Sequence, residues 1–337
     1  MTTVYDVFRL GDVVLQSGAV LGNAWIAYRS YGRLNEARDN CIVFPTYYTG
    51  THRSNERLIG PGRALDPTRY FIVVPNLFGN GLSSSPSNMP PPYGKDGFPR
   101  VTVFDNVMCQ YRLVVEHLGV RRVALVTGWS LAAVQAYHWA ALFPGLVERL
   151  LPFCGAARCS PHNFVFLEGV KAALCADPAY RGGAYEQKPE AGLRAFGRVY
   201  AGWAYSQSFF RAGLYQRLGY ASIEEFLIGW EDEHLAWDAN DLLLKLWTWQ
   251  HADLSANALY HGDFERAMRS IRATAIIMPC DQDLYFTLDD NRAEAALLAD
   301  AELRPFHSPF GHCAGAPGRF AGETDFLERA LADLLAR

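Results

Sequence analysis

Along this chain the apolar residues fall into two alternating patterns. Short runs rich in β-branched and aromatic residues occupy positions 24–31, 41–45, 70–75 and 122–127, and each is predicted to be a strand. Positions 103–118 and 133–143 have helical character instead, and the second of these runs stops at Pro144-Gly145. Strands that alternate with helices in this way predict a mostly parallel, doubly wound sheet covered on both faces, an α/β fold. From about 156 to 264 the pattern changes. Strand runs become scarce there, helical stretches such as 239–246 take over, and Trp203, Trp230, Trp237, Trp247 and Trp249 gather in this part. The α/β rhythm returns with strands at 274–279 and 301–306, a helix at 289–298 and an amphipathic helix at 320–335. The expected organisation is a core built from 1–155 and 265–337, with 156–264 inserted as a helical cap. An aromatic stripe at helical spacing ordinarily packs a core. The cap tryptophans are therefore expected to be mainly structural, with some lining a substrate tunnel or a subunit contact.

Composition narrows the function classes. The chain has 337 residues, is 50% hydrophobic and 20% charged, and carries a net charge of −4, enough length for a large core plus an insertion. Without a Lys/Arg block, nucleic acid and anionic membrane surfaces are not the expected partners. No apolar run approaches the roughly 20 residues of a membrane span. The first residues also lack the basic and apolar segments of a secretion signal. The seven cysteines include no C-x-x-C pair and are expected to be reduced, mostly core residues of a cytoplasmic enzyme. Neither H-E-x-x-H nor a phosphate-binding glycine fingerprint is present, so no metal or cofactor is expected.

Candidate chemistry sits where the predicted strand 122–127 meets the predicted helix 133–143. Gly128-Trp129-Ser130-Leu131-Ala132 puts a serine on a sharp strand-to-helix turn, the nucleophile elbow of α/β-hydrolases. Such a turn needs small residues two positions either side of the serine, and here the second glycine of G-x-S-x-G is Ala132. The plainer alternative is a serine that merely caps its helix. A serine hydroxyl is a poor nucleophile at neutral pH and needs a base, which in turn needs an orienting carboxylate. In this fold the acid and then the histidine follow the nucleophile, each after a late strand. Asp281 and Asp283 follow the predicted strand 274–279, and His312 follows 301–306, with His307 a nearer competitor at the strand end. Negative charge developing on the attacked carbonyl oxygen needs two N–H donors. The Leu131 backbone is expected to give one, and the loop Thr46-Tyr47-Tyr48-Thr49-Gly50 the other.

These motifs sit within a wider likeness. Ile59-Gly60-Pro61-Gly62-Arg63-Ala64-Leu65-Asp66, the glycine- and serine-rich segment 76–86, Phe98-Pro99-Arg100-Val101-Thr102-Val103, the elbow, Asp283-Leu284-Tyr285-Phe286 and Gly311-His312 together resemble the homoserine O-acetyltransferase family and its hydrolase relatives. The likeness runs through nearly the whole chain. It implies the triad Ser130–Asp283–His312, with Asp283 preferred to Asp281, and Tyr48 as the second backbone donor. It also implies an acyl-enzyme that passes its acyl group to an amino-acid hydroxyl in a transferase, or to water in an esterase.

Two departures bear on that choice. Family transferases follow the histidine with an aspartate for the substrate amine, where this chain has Cys313. Their arginine for the substrate carboxylate precedes an aromatic-Asp-Ala-Asn segment, where this chain reads Ala236-Trp237-Asp238-Ala239-Asn240. Losing charged hydrogen bonds costs roughly 1.5–3 kcal/mol each, which favours water over homoserine as the acceptor. The expectation is a serine hydrolase of carboxylic, including acetyl, esters, with Tyr47, Trp129, Trp237 and Cys313 touching the substrate. The alternative is an O-acyltransferase using acetyl-CoA as co-substrate. The expected partner is a small-molecule ester or acyl donor, and the resemblance implies a homodimer formed through the cap.

Overall fold

The computed structural model describes residues 5–337. Among them eight strands form one sheet: β1 (Asp6–Val14), β2 (Val20–Tyr31), β3 (Cys41–Val43), β4 (Phe71–Pro75), β5 (Val123–Trp129), β6 (Arg149–Phe153), β7 (Thr274–Ile277) and β8 (Ala301–Leu303). Their order is β1-β2-β4-β3-β5-β6-β7-β8. The β1–β2 and β2–β4 pairings are antiparallel and all later ones parallel. Two of these strands lie outside the predicted runs. β1 mixes Asp6, Arg9 and Asp12 into its apolar positions and breaks register at Gly11, a charged, irregular makeup suited to a sheet edge. β6 contains Pro152, which cannot donate to the ladder and argues against a central strand. Its carbonyl nonetheless accepts from Met278 N–H at 3.1 Å.

Helices α1 (His52–Asn55), α2 (Val103–Tyr111) and α3 (Leu131–Leu142) accompany the first strands. After Phe153 the chain leaves the sheet and runs through α4 (Pro161–Cys175), α5 (Glu190–Ala204), α6 (Gln207–Arg211), α7 (Ile223–Leu235), α8 (Ala239–Gln250) and α9 (Phe264–Arg269), then returns at Thr274. α10 (Leu288–Ala295) joins β7 to β8, and α11 (Ala321–Leu335) ends the chain. The predicted helix at 103–118 begins at a reciprocal cap between Thr102 and Asp105, and its last turns, residues 112–117, widen to a π-helix.

Alternation along the strands divides the core between the two faces of the sheet. Cys41, Val43, Val73 and Val126 point to the face covered by α2 and α3, while Ile42, Ile72, Leu125 and Leu151 meet Leu327, Leu331 and Leu334 of α11. No helix among the described residues is long and apolar enough to cross a membrane.

The turn after β5 is tightly constrained. Ser130 holds φ 60° and ψ −126°, a conformation that costs a non-glycine residue roughly 1–3 kcal/mol. Its N–H is held by the carbonyls of Phe153 and Cys154 at 3.2 and 3.1 Å. A Cβ on Gly128 would sit 2.6 Å from the Ala132 methyl and equally close to the Ala132 carbonyl carbon. One on Gly155 would sit 2.2 Å from the Ala133 methyl. The alanine in the second glycine's place is thus accommodated because position 128 has no side chain.

Where the chain leaves the sheet, both carboxylate oxygens of Glu294 in α10 accept the Ala157 N–H at 3.0 Å. Burial pushes this carboxyl up to about 8, so it stays protonated in the folded chain over a range where the unfolded chain ionises.

Two outcomes follow from these contacts. Gly128→Ala overpacks the turn and should lower unfolding stability by about 1–3 kcal/mol in urea titration. Glu294 favours the folded state fully below the ordinary carboxylate value of 4.5, and this contribution is lost as pH rises through about 8. Between pH 5 and pH 8 the natural chain should therefore lose on the order of 3 kcal/mol more than Glu294→Gln, measured by denaturant unfolding at both pH values.

Candidate active site

β5, β7 and β8 run parallel, so the loops that leave them open at one edge of the sheet. Ser130 stands at the end of β5, Asp283 in the loop after β7, and His312 in the loop after β8. The three side chains meet there. His312 Nδ1 lies 2.8 Å from Asp283 Oδ2, and His312 Nε2 lies 2.9 Å from Ser130 Oγ. An ionised Asp283 can only accept, so it selects the tautomer with the proton on Nδ1 and leaves the Nε2 lone pair facing the serine hydroxyl. The other Asp283 oxygen accepts the N–H groups of Tyr285 and Phe286 at 2.8 and 3.2 Å, which fixes the carboxylate's orientation. All three residues are buried, with exposures of 3–4%.

The competing residues pair with each other. Asp281 Oδ2 lies 2.8 Å from Nδ1 of His307, whose side chain is 71% exposed. Asp281 and His307 are therefore a surface pair, while Asp283 and His312 form the buried one that reaches Ser130.

Aromatic rings hold the imidazole in place. Trp129 stacks on His312 with ring centres 5.0 Å apart, and its indole N–H donates to the His312 carbonyl at 3.1 Å. Tyr285 stands edge-on at 4.5 Å and Phe286 lies at 5.5 Å. Tyr47 in turn meets the Trp129 edge at 4.5 Å.

The backbone donors are available. Leu131 opens α3, so its N–H has no partner within the helix. Among the described residues neither it nor the N–H groups of Tyr47 and Tyr48 donate to a protein acceptor, whereas Thr46 N–H is taken by the Pro75 carbonyl at 3.1 Å. The Tyr48 side chain is fully buried, and its hydroxyl donates to the Leu242 carbonyl at 3.0 Å, which ties the loop to α8.

A cavity of about 550 Å³ opens above Ser130 and His312, with Tyr47, Trp129 and Cys313 in its wall. Burial pushes the Cys313 thiol up to about 12, so it stays a neutral thiol beside the histidine. Trp237, expected to touch the substrate, does not line this cavity. Its ring instead packs against Lys245, with Nζ 4.0 Å from the ring centre, and burial pushes that amine down to about 7.

The helical layer contributes Tyr200 of α5 and Glu233 and His234 of α7, which the sequence did not single out, together with Trp230 of α7, one of the cap tryptophans of which some were expected to line a substrate tunnel. The Nδ1–H of His234 donates to the Trp230 carbonyl at 2.8 Å, which leaves Nε2 as an acceptor without a protein partner. Charge is also present, since Arg53, Arg57 and Arg319 line the same cavity. The four-residue spacing of Arg53 and Arg57 is a sequence signal that could have marked those two. Tyr200, Glu233 and His234 carry none, because only packing decides which side of a helix faces the cavity.

Comparison with known proteins identifies the family. A sequence profile described as alpha/beta hydrolase fold matches residues 48–218. An ethyl acetate hydrolase of Pseudomonas veronii is 37% identical over 336 residues, covering 98% of this chain and 95% of that protein. The solved acetyl esterase MekB is 36% identical with a TM-score of 0.96, covering 99% of this chain and 97% of the other. A homoserine O-acetyltransferase of Trichormus variabilis is 32% identical over 318 residues, covering 89% of this chain and 86% of that protein. The chain belongs to the α/β-hydrolase family of enzymes, in the group that joins acetyl-ester hydrolases to the homoserine O-acetyltransferases.

Proposed function

We propose that this chain is a serine hydrolase of carboxylic esters, acetyl esters among them, with Ser130 as nucleophile, His312 as base and Asp283 as its orienting acid. The observation that carries this reading is the continuous hydrogen-bonded path from Asp283 through His312 to Ser130 at 2.8 and 2.9 Å inside a buried site. His312 Nε2 takes the Ser130 proton as Oγ attacks the ester carbonyl. The oxyanion is met by the N–H groups of Leu131 and Tyr48. The alcohol leaves with the proton from His312. Water, deprotonated by the same nitrogen, then attacks the acyl-enzyme, and the acid departs while Ser130 regains its proton.

Residues 156–264 serve as the cap over this site. The same reading has a cytoplasmic enzyme, in keeping with seven unpaired cysteines, and a homodimer through the cap by likeness to the group. Acyl transfer from acetyl-CoA to a hydroxyl acceptor is the second reading, favoured by the 32% identity to a homoserine O-acetyltransferase. Water is preferred as the acceptor because positions 236 and 313, where the family resemblance implies charge for an amino-acid acceptor, hold alanine and cysteine.

With p-nitrophenyl acetate the enzyme should release nitrophenolate continuously, and Ser130→Ala should cut kcat by at least about 10³-fold. Retained turnover in that variant would end the proposal. If acetyl-CoA loss rises well above its hydrolytic rate on adding homoserine or serine, the transferase reading replaces the hydrolase one. Asp283→Asn should lower kcat on the order of 10³–10⁴-fold by admitting the wrong histidine tautomer. Asp281→Asn, which disturbs only a surface pair, should change it less than about twofold.

A further inference from the structure

Three guanidinium groups share the cavity that holds Ser130 and His312. Arg53 in α1 and Arg57 in the following turn, Glu56–Leu58, stand four residues apart and so lie on one side of the chain. Arg319 reaches the same place from the loop after His312. Gly318 sits so close to Arg57 that a Cβ there would lie 2.5 Å from the Arg57 Cβ, so the segment that carries Arg319 passes directly against the turn that carries Arg57. All three arginines are exposed, whereas Ser130 and His312 are buried, so the charges stand at the mouth and the reacting atoms on the floor. Trp129, Tyr200 and Trp230 form apolar wall around the reacting atoms.

These arginines have no ion-pair partner among the described residues. Among the described residues none of the three has a carboxylate within the 4.0 Å of an ion pair, although arginines elsewhere, such as Arg194, Arg198 and Arg304, each hold two. Glu56, their neighbour in sequence, accepts the Tyr31 hydroxyl at 2.7 Å. Glu233 is the single carboxylate in the cavity wall and acts on Arg319 from beyond pairing distance. Three positive charges against one negative surround the mouth, in a chain whose net charge is −4. Like charges held together repel, and an anion entering between them relieves the repulsion. A planar guanidinium pair also matches a carboxylate's two oxygens. A volume of about 550 Å³ leaves ample room beyond an acetyl group for such a substituent.

We infer that the esters taken by this cavity carry a carboxylate remote from the scissile bond, received at the mouth by Arg319, Arg57 and Arg53. This deepens the esterase reading and rests on it. The test uses the full chain and matched acetyl esters of two lengths, 4-acetoxybenzoate and 4-acetoxycinnamate, each beside its uncharged methyl ester. The readout is the ratio of kcat/KM for the carboxylate to that for its methyl ester. For at least one length the ratio should exceed about tenfold at low ionic strength and shrink at least about threefold on raising salt to about 0.5 M. Arg319→Gln should lower it about threefold, and the triple variant Arg53→Gln, Arg57→Gln, Arg319→Gln about tenfold. A ratio indifferent to salt and to all three substitutions, at both lengths, overturns the inference.

Calorimetric binding of both carboxylates to Ser130→Ala separates the two ideas. If the natural enzyme hydrolyses none of the four esters, the esterase reading falls. Carboxylate binding that the triple substitution abolishes would still support the arginine mouth, and equal binding of acid and methyl ester would sink it.

Discussion

The position of one imidazole governs how the site is built. His312 has to present Nε2 to Ser130 while Nδ1 is spoken for by Asp283, and all three groups are out of water. In a dry pocket a misaligned polar atom is costly, so the ring must be fixed in both tilt and tautomer. The Trp129 face, the Tyr285 edge and Phe286 hold its tilt, and the doubly anchored Asp283 carboxylate holds its tautomer. The residues that do this holding flank the reacting ones in sequence: Trp129 precedes Ser130, and Tyr285 and Phe286 follow Asp283. Each loop therefore delivers a functional group together with part of its support.

The elbow adds the matching constraint on the nucleophile. A serine at φ 60° is sustained only because its N–H is tied to the end of β6 and because Gly128 and Gly155 leave room for Ala132 and Ala133. Strain is stored at Ser130, and the neighbouring sheet supplies the rigidity that keeps it. In return the hydroxyl stands clear of the sheet edge, above the free N–H of the first helical residue.

Around this neutral, aromatic floor the cavity changes character toward solvent. Positions 236 and 313, where the family resemblance implies substrate-gripping charge, hold alanine and cysteine here. Charge enters from a different wall, on residues 53, 57 and 319. One fold can thus keep its acyl-transfer machinery while exposed residues around the mouth set which substrate is held, because those side chains stand apart from the buried triad.

The elbow, the late aspartate and the late histidine were legible in the sequence because strand-turn-helix chemistry is local and the order of the three is fixed by the fold. β1 and β6 were not, since an edge strand mixes charges into its pattern and a proline in β6 hides a central one. Spacing alone left Asp281 open beside Asp283, and His307 beside His312. In the tertiary structure the exposed pair and the buried pair part company, which no local pattern encodes. Trp237 looked like a substrate contact by its motif but turned to Lys245, while Trp230, Tyr200 and three arginines came to the cavity. The sequence determined the strand and helix periods, the turn that exposes a serine, and the residue types able to move a proton. Only the tertiary structure decided which side chains share one cavity, because that depends on how helices rotate and loops converge across distant parts of the chain.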